Sequence, residues 1–431
     1  MNSLDARERA EVTEVAVAQS ESWPMVPLRS LCDSRTGVRN PSLLPEQPFQ
    51  YVDISAVDND RKRIVAAQRL IGTNAPSRAR NVIRTRDVIV ATTRPNLNAV
   101  ALVPPELDDG ICSTGFCVLR AGPRVLPEYL FAFVRSPAFI DPLSEMVKGA
   151  LYPAVNDAQV LALEIPLPPL AEQERIAARL TEQLTAVERA RAAAQSRLTA
   201  AEALPAAYLR EVFGTETPLS AAPLLPTEPT RPGWRWCLLT DIARLATGHT
   251  PSRREPAWWG GDIHWLQLPD IRAVDGRRVI KTLEQTNSLG IANSSAVLLP
   301  AGTVCMSRTA SVGFVTIMGR EMATSQDFVN WVCGPDLDPD FLMYLILRCR
   351  REIRDLGSGA THHSIYFETV LNFAVCIPPM AEQRRIAAAL AQSLAAAERL
   401  AEGIRAELAA IEAMPAALLR EAFRGEEAVD G

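Results

Sequence analysis

Lysine is nearly missing from this 431-residue chain: only Lys62, Lys148 and Lys281 occur, so arginine supplies almost all of the positive charge. None of the three lysines sits in a Gly-x-x-x-x-Gly-Lys-Ser/Thr phosphate loop, which excludes a P-loop nucleotide site. Histidine is scarce too, at four residues, and the eight cysteines form no Cys-x-x-Cys pair. A disulfide scaffold and a zinc site therefore fit poorly, and a reduced cytoplasm fits well. His362 and His363 are adjacent, with no His-Glu-x-x-His or Cys-x-x-Cys beside them, and make weak metal ligands. No metal is assigned. Apolar runs such as 131–139 are broken by charge or proline well short of the roughly 20 residues a membrane span needs. The N-terminal MNSLDARERAEVTEV lacks the basic start and apolar middle of a secretory signal. Gly-x-Ser-x-Gly is absent, as is an Asn/Asp-Pro-Pro-aromatic motif that holds a target amine during base methylation. No catalytic residue can be named.

What is present is a duplication. Pro168-Pro-Leu-Ala-Glu-Gln-Glu-Arg-Ile-Ala-Ala parallels Pro378-Pro-Met-Ala-Glu-Gln-Arg-Arg-Ile-Ala-Ala. The match runs without a gap to Leu204-Pro-Ala-Ala-Tyr-Leu-Arg-Glu-Val-Phe213 and Met414-Pro-Ala-Ala-Leu-Leu-Arg-Glu-Ala-Phe423. Both copies are rich in alanine, leucine, glutamate and arginine, which favour helix. Ile176, Leu180, Leu184, Val187, Ala190, Ala194, Leu198 and Ala201 recur at steps of three and four in the first. Ile386, Leu390, Leu394, Ala397, Leu400, Ile404, Leu408 and Ile411 do so in the second. That period predicts a packed seam between two long antiparallel helices, each about 45 Å long before Pro205 or Pro415 interrupts it.

The segments ahead of the helices correspond more weakly. Trp23, Val26, Leu28 and Leu31 align with Trp234, Cys237, Leu239 and Ile242. Asp87–Arg94 aligns with Gly302–Thr309. Short β-rich runs punctuated by Gly, Pro, Asn and Asp predict a mixed, mostly β module in each half. Helices are expected at 127–136 and 338–351, and Gly357–His363 reads as a loop. The organisation is an α+β chain with an internal pseudo-twofold repeat. A flexible tail (1–22) precedes a first module (23–167) and a central helix (168–213). A proline-rich linker (214–233) leads to a second module (234–377), a distal helix (378–423) and a second tail (424–431).

Ile165-Pro-Leu-Pro-Pro-Leu-Ala-Glu-Gln-Glu-Arg-Ile-Ala177, repeated as Cys376-Ile-Pro-Pro-Met-Ala-Glu-Gln-Arg-Arg-Ile-Ala387, resembles the signature of the specificity subunits of Type I restriction–modification systems. Gly260-Gly-Asp-Ile-His-Trp265 is similar to the Gly-x-Ile-Pro-Trp of many such modules, with histidine for proline; the first module keeps only Tyr51 at the aromatic place. The resemblance implies that each module is a target-recognition domain reading one half of a bipartite, gapped DNA site. It implies that the helices form an antiparallel coiled coil that sets the unread spacer. It also implies partners: double-stranded DNA, two methyltransferase subunits, and restriction (nuclease–translocase) subunits. S-adenosylmethionine, ATP and Mg would then belong to those partners, with no cofactor in this chain and no catalysis by it alone. A bacterial, cytoplasmic location follows.

The net charge of -5 is unusual for such a role, because isolated DNA-binding domains are often basic. Binding depends on local charge, however, and arginine suits guanine edges and phosphates; a GC-rich genome alone would give the same arginine bias. The first module clusters Arg61, Lys62, Arg63, Arg69, Arg78, Arg80, Arg84, Arg86 and Arg94. The second offers His249, Arg253, Arg254, Arg272, Arg277, Arg278, Lys281 and Arg308. Thr92, Thr93, Asn96, Asn98, Ser307, Thr309 and Ser311 supply hydrogen-bonding groups of the kind that reach base edges. A protein–protein adaptor, two binding modules held by a coiled coil, is the rival reading.

Overall fold

The computed structural model describes residues 23–33, 36–357 and 364–423. The two tails and His362 and His363 lie outside the described residues. The chain divides into two compact units, residues 1–194 with 407–431, and residues 195–406. Each unit thus combines one β-rich module with a stretch of both long helices.

In the first unit, one four-stranded sheet has the order 68–71, 48–52, 111–113, 79–82, and a second the order 32–33, 116–121, 88–91, 100–102. Met25–Pro27 pairs with Glu164–Pro166 just ahead of the central helix. Val88–Ala91 (VIVA) is buried at every position, as a strand covered on both faces must be. Its neighbour Phe116–Ala121 is buried for four residues and then emerges. Leu28, Leu31, Tyr129, Leu130, Phe133 and Phe139 fill the core beside them.

The second unit repeats the plan. A five-stranded sheet has the order 243–247, 328–333, 304–307, 315–318, 278–279, flanked by three-stranded sheets at 219–220, 374–377, 235–238 and 284–286, 259–266, 322–324. Val304–Ser307 is buried throughout and Phe328–Cys333 shows the same four-buried pattern as Phe116–Ala121. The expected short helices are Pro127–Val134 and Pro339–Arg348.

The long helices are Leu170–Phe213 and Met380–Phe423, 44 residues each, or about 66 Å at 1.5 Å per residue. Pro205 and Pro415 interrupt neither, contrary to expectation. Each proline removes one hydrogen bond, but the turns beyond it are anchored. Leu209 and Phe213 are buried in the second unit, Leu419 and Phe423 in the first. Phe423 packs on Tyr129 and Phe133 at ring distances of 5.3 and 5.4 Å, and Phe213 on Phe341 at 5.4 Å. Within each unit the two helical stretches run antiparallel. Arg179 pairs with Glu421 (3.1 Å) and Arg191 with Glu412 (3.2 Å) in the first; Arg405 pairs with Glu202 (2.7 Å) in the second.

The seam is close to the one the period predicts. Ile176, Leu180, Leu184, Leu198, Ile386, Leu390 and Ile404 are buried; Val187, Leu394 and Leu408 are half-buried. Two positions depart from it: Ala190 is exposed, one residue off the 184, 187, 191, 194 stripe, and Leu400 is 47 % exposed, with Ala397 and Ala401 in the buried places around it. The heptad runs 390, 394, 397, 401, 404, so Leu400 falls one residue, about 100°, off the stripe.

The proline-rich stretch is less free than a linker. Leu219 pairs with Val375 at a sheet edge and is buried, and Arg348 donates to the Gly214 and Thr215 carbonyls at 3.1 and 2.9 Å.

Candidate nucleic-acid interface

The duplicated Pro-Pro-x-x-Glu-Gln has a physical explanation. Two prolines end the strand, because neither can donate to a ladder. The Pro169 carbonyl then accepts from the Glu172 and Gln173 N–H groups, opening the helix. Gln173, fully buried, accepts from Leu126 N (2.8 Å) and donates to the Arg124 and Pro168 carbonyls (3.0 and 2.9 Å). Gln383 does the same with Asp338 N (2.9 Å) and the Asp336 and Pro378 carbonyls (2.9 and 3.0 Å). Each glutamine therefore fixes the base of a module's helix to the start of a long helix. Glu172 and Glu382 pair one turn on with Arg175 and Arg385, 2.7 Å in both cases, which holds the glutamates below their ordinary pKa.

The basic candidates divide into committed and free. In the first module Arg63 pairs with Glu188 on the central helix (3.0 Å), Arg84 with Asp109 (3.0 Å) and Arg86 with Glu128 (2.6 Å). Arg61 makes a loose contact with Asp58 at 3.9 Å, and Arg80 donates to the Ala79 carbonyl. Lys62 is turned inward, its Nζ 2.6 Å from the Asn98 carbonyl. Burial first, and the nearby Arg135 charge second, bring its pKa down to about 8. Arg69, Arg78 and Arg94 are exposed and carry no ion pair among the described residues.

In the second module Arg253 is committed. It forks onto Glu284 with two 2.6 Å bonds and lies 4.0 Å over the Trp259 ring, pinning the 248–258 loop. Arg277 reaches Glu398 on the distal helix and Arg278 reaches Asp340, each at 2.6 Å. Arg308 is half-buried, with one nitrogen 3.3 Å from the Ile365 carbonyl. Arg272 donates to Ser311 at 2.6 Å. His249, Arg254, Lys281 and Arg320 are exposed without an ion pair among the described residues. Arg320 was not singled out by sequence; its proximity shows in His264, whose pKa falls through burial and then through the Arg320 and Lys281 charges.

Most of the hydroxyl candidates face inward. Thr92, 7 % exposed, donates to the Gly115 carbonyl, and Thr93 bridges to Ala154. Ser307 is fully buried and donates to the Ser311 carbonyl, while Thr309 donates to Asp327 at 2.6 Å. Asn98 donates to the Val134 carbonyl. These residues follow strands buried on both faces, so their first polar groups are used to close the turn. Asn96 remains exposed.

Those turns form one repeated device. In the first module Val155 N bonds to Thr92 O (2.8 Å), Thr93 bridges to Ala154, and Arg94 has φ 49°. In the second, Ile365 N bonds to Arg308 O (2.9 Å), Thr309 bridges to Ser364, and Ala310 has φ 56°. This moves the alignment of 87–94 with 302–309 by one residue, matching Arg94 to Ala310. A left-handed non-glycine residue at the same place in both copies is a costly conformation of the kind that clusters at functional sites. Sequence reading passed over the partner loop, residues 147–154. Its signal was a Gly and a Pro, Gly149 and Pro153, bracketing Leu151-Tyr152.

The fold is a duplicated α+β architecture in which each unit carries exposed basic residues and a left-handed turn on a β-rich module packed on stretches of both long helices. The chain matches the model of the Type I restriction modification DNA specificity domain over residues 21–193 and 233–410, and it belongs to that family. It is 23 % identical over 349 residues, 66 % of this chain and 75 % of the relative, to the Type I restriction enzyme HindI specificity subunit of Haemophilus influenzae. Its fold matches the crystal structure of an HsdS subunit from Thermoanaerobacter tengcongensis (TM-score 0.66, 30 % identity, 96 % of this chain and 100 % of that one). It also matches a chain from work on complex assembly and conformational transition of the type I R-M system (TM-score 0.78, 32 % identity, 94 % and 98 % covered).

Proposed function

We propose that this chain reads a bipartite, gapped DNA site, one half-site per module, and carries methyltransferase and nuclease–translocase subunits to it without catalysing a reaction itself. The observation that carries the reading is the turn device repeated once in each module, with Arg94, exposed and without an ion pair among the described residues, at the first copy. The second module carries exposed Arg254, Lys281 and Arg320 elsewhere on its surface. In this reading phosphate contacts by Arg69, Arg78, Arg94, Arg254, Lys281 and Arg320 supply affinity, and the exposed Asn96 near Arg94 reads base edges. The antiparallel helices set the unread spacer.

Methyltransferase docking finds support in an open groove of about 1040 Å³ on the central helix of the first unit. Small residues of the central helix, Ala171, Ala177, Ala178 and Thr181, line it together with Glu174 and Arg189, which suits a partner helix with small contacts. S-adenosylmethionine, ATP and Mg belong to the partner subunits in this reading. The site of action is the bacterial cytoplasm, in keeping with eight cysteines that are all free.

The test is the adenine methylome of the source strain with and without this gene. Loss of one gapped motif supports the reading, and swapping one module for that of another specificity chain should change one half of the motif only. An unchanged methylome in a strain that expresses the methyltransferase refutes it.

A further inference from the structure

The 147–154 loop of the first module carries Leu151 and Tyr152 at its tip, each 87 % exposed. They are the most exposed large apolar side chains among the described residues, and they are adjacent. Two neighbouring apolar groups held in water, on a loop whose base is hydrogen-bonded, call for a ligand. The base is fixed by Arg94 N to Pro153 O and Val155 N to Thr92 O, both 2.8 Å. Gly149, at φ 80°, provides the bend. The loop is thereby tied to the 92–98 turn, where Arg94 and Asn96 are exposed and Leu97 is 46 % exposed. Residues 92–98 and 147–154 contain two cations, Arg94 and Lys148, and no carboxylate of their own. Lys148 is paired with Glu145 on the preceding helix at 3.1 Å, which leaves Arg94 as the unpaired charge beside the tip.

An apolar tip next to a free arginine and an amide has the composition of side chains that wedge between base pairs while a neighbour holds the backbone. We infer that Leu151 and Tyr152 form a wedge that enters the base stack of the first half-site, next to the bases contacted by Arg94 and Asn96. This rests on the DNA-reading function proposed above and adds how that half-site is deformed. Sequence preference would then come partly from how easily one base step unstacks, in addition to hydrogen bonds to base edges.

The experiment uses the full chain with its methyltransferase partner and a duplex carrying the gapped motif methylated in the source genome. The fluorescent base 2-aminopurine is placed at successive steps of the first half-site. The wild-type complex should raise its fluorescence at one step, and Leu151→Ala/Tyr152→Ala should abolish that rise and lower affinity for the motif by about tenfold or more. Tyr152→Phe should restore both. The side chains are solvent-exposed, so thermal stability of the double variant should equal wild type. Motif-specific binding with no fluorescence rise at any step overturns the wedge and leaves DNA reading intact. A complex with no motif preference overturns both. Loss of methyltransferase association in the double variant, with base stacking unaltered, assigns the tip to a protein contact and overturns the wedge.

Discussion

Replacing Gln173 by leucine tests whether the duplicated signature is structural. The volume is nearly kept, but three hydrogen bonds disappear, to Leu126 N, Arg124 O and Pro168 O. Each is worth about 1 kcal/mol net, and a buried group left without a partner costs about 1–3 kcal/mol. Only the Pro168 bond is fully buried; the other two partners can recover some hydration. The expected loss is therefore about 3–4 kcal/mol, or about 10 °C in melting temperature for a unit of roughly 200 residues. Hydrogen exchange at Leu126 N–H should accelerate before the rest of the module. Gln173→Glu sharpens the test, since one carboxylate oxygen would face the Arg124 and Pro168 carbonyls without a proton to donate. That raises the folded-state pKa of the new carboxyl above its unfolded value. Its stability is then greatest below the unfolded pKa and is lost as pH rises through the folded one. The deficit of Gln173→Glu should shrink when pH is lowered from 7 to 5, whereas that of Gln173→Leu should not. Melting of both variants within about 1 °C of wild type would refute the argument.

Asp87, 2 % exposed, holds Arg120 with bonds of 2.9 and 2.7 Å, so Asp87→Ala should cost about 3–5 kcal/mol in urea titration. Asp109→Ala, which breaks partly exposed pairs with Arg39 and Arg84, should cost no more than about 1 kcal/mol for each. Phe423→Ala empties the space between Tyr129 and Phe133 and should lower stability by about 3–5 kcal/mol, read by calorimetry. Lys62, with a folded pKa of about 8, binds its proton more weakly than in the unfolded chain. Stability should rise as pH goes from 8 towards 10, and melting curves of Lys62→Met should lack that rise. Arg69→Ala, Arg78→Ala and Arg94→Ala should each reduce the salt slope of DNA binding by about 0.9 if each contacts a phosphate, with melting temperatures unchanged.

The repeat made the helices legible. A seam at steps of three and four needs no long-range information, because the period alone decides which side chains share a face. The corrections came where local rules met tertiary contacts. Pro205 and Pro415 stay inside helices because Phe213 and Phe423 find aromatic pockets beyond them. Leu400 leaves the seam because two alanines on either side already pack it. The candidate interface was less legible. Charge counts marked basic stretches, but Arg63, Arg84, Arg86, Arg253, Arg277 and Arg278 are held by carboxylates distant in sequence.

The order of modules, the two long helices and the motif that starts each of them were determined by the sequence itself, since duplication, helical period and proline placement are properties of neighbouring residues. Which arginines stay free, which hydroxyls turn inward and which loop stands out in water were decided only by the tertiary structure. A side chain's availability depends on what the fold brings within about 4 Å of it, and those partners lie tens to more than a hundred residues away along the chain.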